Sequence, residues 1–239
     1  KNVNSFYGGM IVTNDKELAL NIKEDIQNNS NESSKVLFKR IIHCLIGDFL
    51  TSAIIFPLFT FNIFKLGAIS NIKSINKTVQ TENNPVYRNK LPDKYKKRLT
   101  NMQAMIVLEQ LRYIDRYSKE RIDAASIYYE GLKDINEIRL PPSKKDYSHI
   151  YLQYPIQYSS RWDLVKYLMK SGRDVSIQHM GNCSDYQIFS RYKKNCKNAK
   201  DVSSSVVLLP TYPGYSKKEI KKNIRAIRKY FGKSSLSLK

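Results

Sequence analysis

The feature that most constrains this chain is the run I-I-H-C-L-I-G-D-F-L-T-S-A-I-I-F-P-L-F-T-F-N-I-F at residues 41–64. It exceeds the roughly 20 apolar residues that a membrane-spanning helix needs, yet Asp48 and Pro57 interrupt it, and Lys35, Lys39, Arg40, Lys65 and Lys73 flank it. A carboxylate near the bilayer centre costs about 2.5–3.5 kcal/mol on insertion scales, and an interior proline removes a backbone hydrogen bond and kinks the helix. Two arrangements answer these constraints. One is a re-entrant or interfacial hairpin, broken near Pro57, with its basic flanks at anionic headgroups. The other is an inserted helical pair packed on the protein's own body or on a dimer partner, because water does not tolerate so large an apolar patch bare.

The rest of the composition narrows the class. A chain of 239 residues with 41% hydrophobic content can furnish a core for one large or two small domains. A formal net charge of +20 favours anionic partners. No zinc-finger, basic-zipper or RNA-recognition consensus appears, and the lysines are scattered among Asn and Ile, so no nucleic acid partner is expected. Cys44, Cys183 and Cys196 form neither a CxxC pair nor an even set, which fits a reducing, cytoplasmic setting. His43, His149 and His179 lie far apart, and no metal site is expected. The chain opens without a methionine or a signal pattern and reads as a piece of a longer protein.

Periodicity predicts a buried strand over residues 8–13, followed by an amphipathic helix capped by Thr13 or Asn14. Residues 70–97, punctuated by Pro85 and Pro92, read as a connector. A long helix is expected from Thr100 to Leu132, with a stripe through Met102, Met105, Ile106, Leu108, Leu111, Ile114, Ile122 and Tyr129. Then follow a strand near 150–158, a helix near 161–171, a short strand near 175–178, a looped region with two cysteines, a strand at 205–209 and a last helix from Ser216 to about Phe231. Ser216 and Glu219 have the spacing of a capping box. This order predicts a compact α/β lobe.

Four motifs stand in sequence order. K-N-V-N-S-F-Y-G-G puts Lys1 ahead of the Gly8-Gly9 pair and the apolar Met10, Ile11 and Val12. R-L-T-N-M-Q-A-M-I-V-L-E-Q-L carries Arg98, Gln103, Ala104, Gln110 and Leu111. R-I-D-A-A-S-I-Y-Y-E-G-L carries Arg121, Ala125, Tyr128 and Leu132. V-V-L-L-P-T-Y-P-G-Y-S-K-K-E-I carries Leu208, Leu209, Pro210, Tyr212, Pro213, Ser216 and Glu219. Together, over residues 1–27 and 98–232, they resemble the carboxyl half of the DegT-like sugar aminotransferases, which use pyridoxal phosphate (PLP).

That resemblance implies a fold-type I PLP transferase of α/β class, with the end of the large PLP-binding domain at 1–27 and a linking helix with the small carboxyl-terminal domain at 98–239; residues 28–97 stand between them as an insertion whose apolar segment is membrane-associated in the first of the two arrangements above and packed on protein in the second. It implies Lys1 as the Schiff-base lysine, whose neutral amine condenses with the cofactor and then moves protons; its pKa must be depressed for that work. It implies a homodimer acting on a keto sugar nucleotide, with glutamate as amino donor, to make an amino sugar for surface polysaccharide. Residues 1–239 would be inactive alone, because the phosphate-cradling turn and the acid that meets the pyridine nitrogen lie upstream of such a lysine in the family. Two departures stand out: Phe6-Tyr7 replace the usual Gly-Glu, and Lys96 stands where many members have an Asn that reaches the cofactor phosphate of the partner subunit. Lys96 or Arg98 would supply a cation there instead. A cytoplasmic setting is expected, and in its lipid-facing arrangement the insertion would make the protein peripheral on the inner face of the cell membrane. Alternatives are a catalytically decayed member acting as a membrane-surface or interaction protein, and a PLP-dependent sugar dehydratase-like enzyme, against which Lys1 argues because such members carry His.

Overall fold

The computed structural model describes residues 2–70, 72, 85–177 and 181–234. Lys1, Lys73 and His179 lie outside them. The chain divides into two compact units, Lys1–Phe56 with Tyr87–Ile114, and Pro57–Val86 with Asp115–Lys239.

In the first unit, helix α1 (Lys16–Gln27) starts at Asp15, whose carboxylate accepts from the Leu18 N–H. The expected caps sit just outside: Thr13 Oγ1 accepts from the Asp15 N–H at 3.1 Å. Strands β1 (Ser30–Asn31) and β2 (Lys97–Arg98) form a short parallel pair, with Ser30 opposite Lys97 and Asn31 opposite Arg98. Helix α2 (Ser34–Leu50) covers the first half of the apolar run. Helix α4 (Asn101–Leu111) opens with a complete capping box: Gln103 N–H bonds the Thr100 side chain, and the Gln103 side chain accepts from the Thr100 N–H. Residues 8–13 form no strand, and 8–12 stand exposed. A strand is stable only when its N–H and C=O groups find a neighbouring edge, and among the described residues no such ladder forms there.

The apolar run breaks where proline predicts. A π-helical turn, Phe56–Thr60, contains Pro57, and helix α3 (Phe61–Ile69) follows. In the second unit, α3 packs on helix α6 (Arg161–Lys170), so that part of the run is used against protein. The expected single helix from Thr100 to Leu132 is two helices. At Arg112 and Tyr113 the N–H groups reach back only three residues, to the Glu109 and Gln110 carbonyls, which tightens the turn. Helix α5 (Ile114–Leu132) then begins. The buried face keeps Ile122 of the expected stripe but otherwise differs from it: Met105 and Leu108 are exposed, while Ser118, Arg121, Ala124, Ala125, Tyr128, Gly131 and Leu132 point inward.

The second unit has a three-stranded antiparallel sheet with β5 (Val206–Leu209) between β3 (Tyr154–Gln157) and β4 (Ser176–Ile177). The register sets Ile156 and Ile177 opposite Val207. All four residues of β5 are buried, which explains a continuous apolar strand without alternation. Helix α8 (Lys217–Tyr230) turns Ile220, Ile224 and Ile227 onto the core and leaves its lysines outside. It approaches α5 so closely that a Cβ on Gly131 would stand 2.7 Å from Ile224 Cδ1. Ser216 caps α8 through the Glu219 N–H, the first half of the expected capping box. Helix α7 (Lys197–Ser205) occupies part of the stretch expected to be looped.

Candidate active site

The candidate site is the loop that follows Lys1. Phe6, Tyr7 and Gly8 have φ values of 58°, 75° and 132°. Left-handed backbone is uncommon for bulky residues, and each instance costs on the order of 1–3 kcal/mol unless the surroundings hold it. At Gly8 the requirement is double, since an added Cβ would also meet Leu99 Cδ1 at 3.0 Å.

Two glutamines of α4 hold this loop by its backbone. Gln103, 3% exposed, donates from Nε2 to the carbonyls of Ser5 (2.8 Å) and Tyr7 (3.0 Å). Its Oε1 accepts from the Thr100 N–H and hydroxyl, both at 3.1 Å, so every valence of a buried amide is used. Two turns further along, Gln110 exchanges hydrogen bonds with Asn4: Nε2 donates to the Asn4 carbonyl, and the Asn4 N–H donates to Oε1 at 2.9 Å. The spacing Q-A-x-x-x-x-x-Q is the helical spacing that puts both amides on one face.

Helix α2 grips the other side. Arg40 donates to the Phe6 carbonyl at 3.4 Å, stacks its guanidinium 4.9 Å from the centre of the Tyr7 ring, and pairs with Glu32 at 2.9 Å. A cation over a tyrosine face contributes about 0.5–1 kcal/mol where partly solvated. Read along the chain, Arg40 is only a basic flank of the apolar run. The carbonyl it bonds lies 34 positions away, and no local pattern announces it.

Next to Lys1, Asn2 Oδ1 is buried with no hydrogen-bond partner among the described residues, which leaves an acceptor open to a donor there. Lys1 itself lies outside the described residues, so its placement is not part of this geometry. Lys96 is exposed and pairs with Asp93 at 3.6 Å. Arg98 is half-buried, donates to the Gln27 carbonyl at 3.5 Å, and lines a cavity of about 650 Å³ together with Ser34, Thr100, Asn101 and Glu32. Glu32 is already committed to Arg40. Arg98, the Ser34 hydroxyl and the Asn101 amide are therefore a donor set that suits a phosphate, and Lys96 is not brought to it.

The remaining motif residues converge in the second unit and do structural work. Tyr128 is wholly buried, donates to the Pro210 carbonyl, accepts from Asn223 Nδ2 at 2.9 Å, and stacks on Tyr154 at 5.2 Å. Burial pushes its phenol far above the ordinary tyrosine range, so it stays protonated. Arg121 donates to the Leu152 carbonyl, and burial lowers its pKa. Arg228, which no motif flagged, makes two bonds to the Asp134 carboxylate at 2.6 and 2.9 Å and caps the Gly131 and Ser234 carbonyls.

Among the described residues no cluster of His, Cys, Asp and Glu could hold a metal ion, and no helix is long and apolar enough to cross a membrane.

A profile of the DegT/DnrJ/EryC1/StrS aminotransferase family matches residues 70–228. The chain is 26% identical over 136 residues to a UDP-N-acetyl-3-dehydro-alpha-D-glucosamine 3-aminotransferase of Acidithiobacillus ferrooxidans. It is 25% identical over 134 residues to a dTDP-3-amino-3,6-dideoxy-alpha-D-galactopyranose transaminase of Aneurinibacillus thermoaerophilus. In both cases the match takes 56% of this chain and 37% of the relative. Among solved structures, DesV of S. venezuelae superposes with a TM-score of 0.53 at 21% identity, over 62% of this chain and 42% of that one. An aminotransferase of the same family from Brucella abortus gives 0.53 at 24% identity, over 64% and 40%. These likenesses show a shared fold over the matched part.

Proposed function

Because the chain belongs to the DegT/DnrJ/EryC1/StrS aminotransferase family, whose members use pyridoxal phosphate, we propose that it is part of a transaminase acting on a keto sugar nucleotide. The observation that carries this reading is the double glutamine clamp on the loop directly after Lys1. A lysine that must present its amine to one atom of a cofactor needs a rigid stem, and the clamp supplies one at a left-handed turn that would otherwise relax.

When bound, the cofactor supplies the electron sink that lets an amino group move between donor and acceptor. The chain's own residues supply the rest. Lys1 Nζ holds the cofactor at rest and then carries a proton to and from the substrate carbon, which requires the neutral amine. Arg98, with Ser34 and Asn101, offers its donors to the cofactor phosphate of a partner subunit, in a homodimer. Lys96 lies at the solvent edge and adds positive charge to the approach of an anionic sugar nucleotide. Glutamate is the amino donor in this reading, and the product amino sugar goes to surface polysaccharide.

The test is borohydride reduction of the full-length protein with pyridoxal phosphate, followed by peptide mapping. The label is expected on Lys1 and absent in Lys1→Ala; a label that persists in that variant overturns the assignment.

A further inference from the structure

The turn at Phe6–Gly8 is held from a second side by a helix that belongs to the apolar run. Strands β1 and β2 pair, and Lys97 Nζ donates to Ser30 Oγ at 2.7 Å, so α2 and α4 both leave from this short ladder. Glu32 stands between β1 and α2. Its side chain is 9% exposed, and both carboxylate oxygens are engaged, Oε1 by the Ser33 N–H at 3.1 Å and Oε2 by Arg40 at 2.9 Å. Leu37 and Arg40 share the inward face of α2, while Phe38, Leu45 and Phe49 are exposed. Arg40 Nη1 spends one N–H on Glu32 and the other on the Phe6 carbonyl, and the flat guanidinium lies over the Tyr7 ring. The glutamines of α4 hold the carbonyls of Asn4, Ser5 and Tyr7. Among the described residues, Arg40 alone holds that of Phe6.

We propose that Arg40 is a positioning residue for Lys1, an inference that rests on the transaminase reading above. Phe6 and Tyr7 are consecutive non-glycine residues in left-handed backbone, with φ of 58° and 75°, and such a pair relaxes to ordinary backbone unless its surroundings hold it. Arg40 holds the first by its carbonyl and the second by its ring. It thereby fixes the direction in which the chain runs back through Asn4 to Lys1, and an amine that must meet one atom of a cofactor gains rate from a fixed direction. The residue type follows from the task. A guanidinium offers a rigid fork of N–H groups and a flat face at once, whereas an ammonium is a point charge on a flexible stem and gives no planar contact with the ring. Glu32 orients Arg40, and α2 is in this way a working part of the site.

The experiment follows two readouts in the full-length protein. One is amide hydrogen exchange over residues 4–8 before any cofactor is added; the other is the rate at which pyridoxal phosphate becomes fixed to Lys1, with samples quenched by borohydride at intervals. Arg40→Lys keeps a cation beside Glu32 and is expected to speed the exchange and slow the fixation, each by on the order of tenfold. Exchange in the second unit should not change, and the pH midpoint of fixation should stay at the parent's, because direction and not amine protonation is lost. Tyr7→Leu, at a ring 73% exposed, should do the same, and combining the two changes should add little, since both remove one contact. Tyr7→Phe keeps the ring face and should keep the slow exchange. Lys39→Gln, at the exposed lysine next to Arg40, controls for lost charge and should match the parent. If Arg40→Lys folds poorly, Tyr7→Leu reads the same contact. Fixation at the parent rate in these variants overturns the proposal even where exchange rises, for the contact is then only structural. So does slowing that Lys39→Gln reproduces, or a moved pH midpoint, since charge would then be what acts. A parent that takes no label on Lys1 overturns the proposed function and this role with it; a labelled parent with silent variants overturns this role alone.

Discussion

Val206–Leu209 and Met10–Val12 are apolar stretches of similar composition, yet the first is 3, 0, 8 and 0% exposed and the second 67, 68 and 82%. The difference lies in what stands beside each one. Val206–Leu209 has a strand hydrogen-bonded on either edge and helix α6 packed against it, so burial of its side chains comes with a partner for its backbone groups. Met10–Val12 has no paired edge among the described residues, and burying it would strand its N–H and C=O groups. Hydrophobicity proposes a strand; only a neighbour's edge makes one.

Substitutions in the two stretches should therefore differ sharply. Leu209→Ala should cost about 2–5 kcal/mol by chemical denaturation, since it empties a fully enclosed site. Ile11→Ala should stay within about 0.5 kcal/mol in the same assay; equal losses would show that the two stretches are packed alike.

Gln103→Ala should cost about 1–3 kcal/mol, because the buried Ser5 carbonyl and the part-buried Tyr7 carbonyl lose their donor. The loss should appear as faster amide exchange over residues 4–8 with little change in the second unit. Gln103→Glu keeps the shape but removes both donors, so it should fail to rescue protection; if it rescues, the clamp is not the restraint. Gly8→Ala should cost about 1–2 kcal/mol through backbone strain and the Leu99 contact, read as a lowered melting temperature, whereas Gly9→Ala, with open space at its Cβ, should be close to silent.

The smallest expected effect is a pH dependence. Arg228 hydrogen bonding holds the Asp134 carboxyl below the usual carboxylate range, and Lys222 followed by Arg173 does the same for Glu219. Their folded values lie below their unfolded ones, so the stabilisation is complete above the ordinary carboxylate pKa and is lost as pH falls through the lowered values. Both side chains are partly solvated, which limits each contribution to below about 1 kcal/mol. Asp134→Asn should flatten the acid limb of the stability curve; an unchanged acid limb would mean that the ion pair with Arg228 contributes nothing measurable.

Much of the second unit is legible in the sequence. Apart from helix α7, which occupies a stretch expected to be looped, strand and helix positions from Tyr154 onward agree to within a few residues, because capping serines, helical periodicity and a run of buried β-branched residues are local signals. The break at Arg112 and Tyr113 is not legible, since a helical stripe can continue across a turn tightened by one residue. The motif glutamines are visible as a pattern, but their work is not: nothing local says that Gln103 bonds residues almost a hundred positions earlier.

Local sequence settles the family, the order of elements in the carboxyl-terminal lobe, and the interruption of the apolar run near Pro57, since each depends on residues adjacent in the chain or spaced by helical and strand periods. Tertiary structure alone decided that Arg40 and two glutamines close on one left-handed loop, that Tyr128 and not Tyr129 enters the core, and which side of α2 is left bare. Those outcomes depend on which distant groups arrive at hydrogen-bonding distance, and periodicity carries no record of distance.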